Sequence, residues 1–140
     1  MGYEPTPSRA TTVLICDDHT AMRKMLCAVV ELIPGMRVVG EAADGEIAIR
    51  EAARLQPDVI LLDLAMPVLS GFAALPQLRQ SAVAAKIIVL AGFSTATVAD
   101  EVLALGADSY IEKGADLETL TAAIEGVVAD TATFARSEGA

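Results

Sequence analysis

Asp17 and Asp18 stand together at the end of a short apolar run, Asp63 closes the most continuous one, and Lys113 follows another. Carboxylates are the hard oxygen ligands that magnesium takes. Charged groups at the ends of buried strands are costly unless something compensates them, and three carboxylates gathered in one place repel one another. A divalent cation answers both difficulties, with Lys113 adding one ammonium at the same edge. Each residue also has an ordinary reading. An Asp after a strand commonly caps a helix, and a lone Lys is commonly solvated. The coincidence of all of them at strand ends is what points to a site.

The order of elements decides whether they meet. Residues 12–16 form a β-branched and apolar run that reads as a strand. Over 21–33 the residues Met22, Leu26, Val29, Val30 and Ile33 recur at helical spacing, and Pro34-Gly35 ends that helix. A strand over 36–42 follows, then Asp44 caps a helix running to Leu55. Residues 59–63 suit a central strand buried on both faces. A loop over 64–70 leads to a helix over 71–80, in which Pro76 predicts a kink or a late start. Residues 86–92 are a strand, 95–105 a helix ended by Gly106, and 109–112 the fifth strand. Asp116 caps a last helix with Leu117, Leu120, Ile124 and Val127 on its inner face. Residues 1–11 read as a flexible leader, 12–129 as the folded domain and 130–140 as a tail or the start of a linker. Five β-then-α units predict an α/β fold, a single (βα)5 doubly wound domain around a five-stranded parallel sheet. In such sheets ligands bind beyond the carboxyl ends of the strands, which is where the charged residues lie.

Composition narrows the function. The 140 residues carry 19 acidic and 10 basic side chains, a net charge of −9. That balance argues against direct nucleic-acid binding and against a polybasic attachment to lipid. Most of such an acid excess is ordinary solvated surface. Cys16 and Cys27 are not spaced as a redox pair or a zinc site and read as small buried side chains. With no signal-peptide pattern and only strand-sized apolar runs, the expected location is the cytoplasm. Aromatics make up 4% of the chain and Trp is absent, so a stacking platform for single-stranded nucleic acid is not expected. Met25 and Met36 are expected in the core. His19, beside the acid pair, reads as exposed or capping rather than as a ligand.

Two other chemistries fit poorly. A phosphate-binding loop needs glycines after the first strand, where this chain has Asp17-Asp18-His19-Thr20. A phosphatase with an aspartyl nucleophile needs an acid–base carboxylate two residues on, where this chain has Ala65.

Asp17-Asp18, Asp63 in DVILLDLAMP, Met66-Pro67, Gly71 and GADSYIEK ending at Lys113 together resemble the receiver domains of bacterial two-component response regulators. The likeness covers residues 12–128. DDHTAMRKML, VVGEAADG and the non-proline after Lys113 resemble the nitrate-response and nitrogen-fixation (NarL/FixJ) class. The resemblance implies the flavodoxin-like strand order 2-1-3-4-5. It implies that Asp63 accepts a phosphoryl group from a histidine of a partner sensor kinase. It implies that Asp17, Asp18, Asp63 and the main-chain carbonyl of Ala65 hold magnesium, with Asp17 acting mainly through metal-bound water. Lys113 would pair with a phosphoryl oxygen, and Tyr110 would be the aromatic that moves inward on phosphorylation. The domain would relay its signal through the helix 4/strand 5/helix 5 face, as a signalling phosphoacceptor rather than an enzyme, one that assists its own phosphoryl transfer and dephosphorylation.

One residue departs from the family. Where a Ser or Thr hydroxyl binds the phosphoryl group at the end of strand four, this chain has Ala91. A hydrogen bond to a charged group contributes roughly 1.5–3 kcal/mol, so its loss predicts a switch weakened about tenfold or more. Ser94 and Thr95 read as caps of the fourth helix rather than substitutes. Gly114 follows Lys113 in place of the proline many receivers have, so no cis bond is expected there. The alternative function is a pseudo-receiver, a phosphorylation-independent interaction module. A stand-alone metal-dependent phosphotransfer enzyme is a third. The class usually carries a C-terminal helix-turn-helix, so an output domain or target protein is the expected downstream partner. Homodimerisation through the helix 4/strand 5/helix 5 face is an expectation from the family alone.

Overall fold

A computed structural model describes residues 10–92 and 96–139, with side chains described for 10–92 and 97–129. The strands are β1 (Thr11–Cys16), β2 (Met36–Ala42), β3 (Val59–Asp63), β4 (Lys86–Ala91) and β5 (Ser109–Glu112). They alternate with α1 (Thr20–Leu32), α2 (Gly45–Leu55), α3 (Gly71–Ser81), α4 (Ala96–Ala104) and α5 (Leu117–Gly139). The sheet is parallel throughout, in the order β2-β1-β3-β4-β5. Each parallel neighbour needs a crossover, and the alternating helices supply it.

Strand periodicity builds two cores. Leu14, Cys16, Ile60, Leu62, Ile87 and Val89 point to one face, where α2, α3 and α4 cover them. Val13, Ile15, Val59, Leu61, Ile88 and Leu90 point to the other, beneath α1 and α5. This is why the strands lack polar alternation: both faces are buried.

Asp44 caps α2 by accepting the Ile47 N–H at 2.8 Å, and Asp116 accepts the Thr119 N–H at 2.8 Å. The expected late start of α3 does not occur. The helix begins at Gly71, where the Ser70 hydroxyl oxygen accepts the Ala73 N–H at 3.1 Å. Pro76 lies inside the helix, on its exposed face. β1 starts at Thr11, whose N–H donates to the Gly35 carbonyl at 2.7 Å; the rest of the expected leader, 1–9, lies outside the described residues. Ser94 and Thr95 lie outside them too. Residues 130–139, read as a tail or linker start, continue α5 as helix. They lack an apolar period, but no proline or internal glycine interrupts the run. Leu120, Ile124 and Val127 are buried as expected, whereas Leu117 is 54% exposed.

The expected burial of Met25 and Cys27 is corrected. Met25 is 40% exposed and Cys27 half-buried, because Met22, Leu26, Val29 and Val30 occupy the inward stripe of α1 and these two fall beside it. Cys16 is fully buried, which pushes its thiol far above the ordinary value, so it is inert. Met36 packs against the α1/α5 core.

Candidate functional site

Register brings the acids together. Cys16 of β1 lies beside Leu62 of β3, so the next residue on each chain, Asp17 and Asp63, arrives at the same edge. Both share the strand parity of Ile15 and Leu61, the side of the sheet covered by α1 and α5. Lys113, two residues past Ile111, has that parity as well. Its N–H is tied to the Ala91 carbonyl at 2.7 Å. The Lys113 ammonium stands 3.0 Å from Asp63 Oδ2 and 3.3 Å from Asp17 Oδ2.

Among the described residues, Asp17 and Asp63 are the buried polar ones, 0% and 1% exposed. Asp18 is exposed, and carboxylate oxygens of Asp17, Asp18 and Asp63 all fall within 4.8 Å of one another. Neither Asp17 nor Asp18 caps α1. The cap position is His19, exposed and without a side-chain capping bond. Asp17 Oδ1 instead accepts the His19 N–H at 2.8 Å, turning the chain inside the site.

Burial raises the pKa of Asp63, and nearby Asp17 adds to it, against the opposing hydrogen bonds from Lys113 and the Ala65 N–H at 3.2 Å. For Lys113, burial works toward a lower pKa, but the hydrogen bond and charge of Asp63, then Asp17, outweigh it and the net shift is upward. One ammonium is therefore shared between two buried carboxylates. Asp17 Oδ2 is fully buried and accepts no hydrogen bond, leaving the ion pair with Lys113 as its compensation. An under-satisfied buried carboxylate oxygen, close to two further carboxylates, fits a hard divalent cation.

The β3–α3 loop closes over this edge by close backbone approach. A side chain at Gly71 would collide with the main-chain carbonyl of Asp63, and one at Gly45 with that of Leu69. Between them Val68 has φ +66°, and the Leu69 N–H bonds back to the Pro67 carbonyl at 2.7 Å, a three-residue turn centred on Val68. A β-branched residue at positive φ is a true outlier. Val68 is 72% exposed, so its side chain gains little from burial in return.

Ala91, at the carboxyl end of β4, is 3% exposed and lies opposite Glu112. Tyr110 is half-buried against the α2/α3/α4 core. Ala91 on β4 lies beside the strand that leads to Lys113, and Tyr110 lies on that strand, neither belonging to the charged cluster. Arg23 carried no signal in the sequence. Its Nε donates to Glu41 at 2.9 Å and its Nη1 to the main-chain carbonyl of Asp17 at 2.8 Å.

Residues 13–125 match the family described as the response regulator receiver domain, and the chain belongs to that family. It is a receiver domain of the NarL/LuxR type. The chain is 44% identical over 121 residues to the nitrate/nitrite response regulator protein NarP of Escherichia coli, covering 86% of this chain and 55% of that protein. It is 38% identical over 116 residues to NarL of the same species, covering 81% and 52%. It thus spans about half the length of the curated relatives it matches. A LuxR-family response regulator from Aurantimonas superposes with a TM-score of 0.82 at 31% identity, with 86% of each chain covered. Among the described residues no helix is long and apolar enough to cross a membrane.

Proposed function

We propose that Asp63 is the phosphoacceptor of a two-component pathway. A carboxylate oxygen of Asp63 attacks the phosphorus of a phosphohistidine on a sensor kinase. The new P–O bond forms as the P–N bond breaks, and the imidazole leaves. Asp17, Asp18, Asp63 and the Ala65 carbonyl would hold magnesium. Magnesium there supplies charge neutralisation on the transferring phosphoryl group, which is most of what this reaction needs. Lys113, already beside Asp63, exchanges a carboxylate oxygen for a phosphoryl oxygen. The observation that carries this reading is the buried cluster itself, two carboxylates on one ammonium with Asp17 Oδ2 short of a donor.

The kinase has an apolar landing place beside the acceptor. A cavity of about 340 Å³ opens between α1 and the β5–α5 turn, lined by Met22, Met25, Leu26, Ala115 and Leu117 and reaching Lys113. Output passes through the α4/β5/α5 face and Tyr110, to an output domain of the DNA-binding kind or to a target protein. Homodimerisation of that face belongs to the same reading. With alanine at 91 the phosphoryl group lacks one hydroxyl donor, so phosphorylation moves Tyr110 and α4 less completely than a Ser or Thr would. Retention of all three aspartates and Lys113 supports phosphoacceptance over a phosphorylation-independent role.

Intact-mass spectrometry after incubation with acetyl phosphate and magnesium tests this. The expected result is a gain of one phosphoryl group, absent from Asp63→Asn and abolished by EDTA. No gain on the unsubstituted protein overturns it.

A further inference from the structure

We infer that Arg23 and Glu41 form a positioning couple that fixes the Asp17-Asp18 corner for cation binding. The inference rests on the cation site proposed above and goes beyond it to residues outside the acidic cluster. Arg23 lies in the first turns of α1 with its side chain 15% exposed. It reaches Glu41 near the end of β2 and the Asp17 carbonyl at once, through two different guanidinium nitrogens. The Asp17 N–H donates to the carbonyl of Ala42, the residue after Glu41, at 3.0 Å. Both main-chain polar groups of Asp17 are thus anchored to the end of β2, one directly and one through Arg23. Asp17 Oδ1 is engaged by His19, so the orientation of Oδ2 follows from the backbone that Arg23 holds. Lys24 grips the same Glu41 carboxylate at 3.1 Å on each oxygen, which keeps the acceptor in place.

Charge and position act in opposite directions here, which makes the idea testable. A guanidinium near an acidic pocket repels a divalent cation, so as a bare charge Arg23 weakens binding and its removal tightens it. As a positioning group its removal loosens the corner, and binding falls. Groups that orient ligating carboxylates typically change metal affinity 10–100-fold when lost.

The experiment is magnesium titration by calorimetry into the protein and its Arg23→Ala, Arg23→Lys and Glu41→Gln variants, with thermal unfolding in EDTA run alongside. Lysine keeps the charge but not the fork that spans two acceptors. The expected result is about tenfold weaker magnesium binding in Arg23→Ala and in Arg23→Lys, and a smaller loss in Glu41→Gln. Unchanged or tighter binding in Arg23→Lys overturns the inference, as does a lowered melting temperature with unchanged affinity. If Arg23→Ala does not fold, Arg23→Lys and Glu41→Gln decide the matter. Absence of binding to the unsubstituted protein would instead overturn the cation site itself.

Discussion

The Lys113 Nζ sits 3.0 Å from Asp63 Oδ2, joining the last strand to the central one across the end of β4. The same ammonium is 3.3 Å from Asp17, so a single side chain compensates two buried carboxylates. Replacing Lys113 by Met is expected to destabilise the metal-free domain by about 3 kcal/mol, the usual scale for stripping the partner from a buried charge. Urea unfolding in EDTA measures it, and saturating magnesium should restore part of the loss. The pH dependence has a definite sign. Because the Lys113 pKa is raised, its contribution is complete below the ordinary value of 10.5 and is lost as pH climbs through the higher folded value. Equal stability of the two proteins in EDTA contradicts this account of the pair.

Asp63→Asn should stabilise the metal-free domain while ending phosphorylation. Burial raises the Asp63 pKa above 3.8, so its charged form is disfavoured by folding. A raised carboxylate pKa contributes stability only at low pH, below the unfolded value, and that contribution is lost as pH rises through the folded value. The advantage of Asn is therefore largest at neutral pH, on the order of 1 kcal/mol, and shrinks as the solution is acidified. Urea titrations of both proteins across that range check it; an advantage that grows on acidification has the wrong sign.

Val68→Gly is expected to raise stability by about 1 kcal/mol by relieving the positive φ. Gly pays more backbone entropy on folding than Val, which trims the gain without reversing it. Acetyl phosphate labelling should proceed at an unchanged rate, because the side chain is exposed and makes no part of the charged cluster. Thermal unfolding reads the first effect. A less stable Gly variant would mean that the turn is held by contacts of the valine side chain.

Ala91→Thr is expected to strengthen switching. NMR spectra of free and beryllofluoride-bound protein should show partial shifts around Tyr110 and α4 in the unsubstituted chain and larger ones in the variant. Shifts already full in the unsubstituted chain would show that no hydroxyl at 91 is needed.

The clustered residues were legible because strand periodicity does two things at once. It ends β1, β3 and β5 at known residues, and it assigns Asp17, Asp63 and Lys113 a common parity. A parallel sheet then leaves them one edge to share. Arg23 and Glu41 were not legible. They meet across the β1–α1–β2 crossover, 18 residues apart, and nothing in an Arg on a helix says which carbonyl it will hold. The Val68 turn was hidden for a different reason. Valine disfavours positive φ, and that conformation is imposed by the Leu69–Gly45 and Gly71–Leu64 backbone bonds on either side. The start of α3 was not legible from Pro76, because the Ser70 cap opens the helix at Gly71, before the proline is reached.

The most direct test is to locate the phosphoryl group. After labelling with acetyl phosphate and magnesium, borohydride reduction turns an acyl phosphate into a primary alcohol that peptide mass spectrometry can map. The reduced residue is expected at Asp63 alone. Modification at Asp17 or Asp18, or none in a folded protein with magnesium present, would contradict the account.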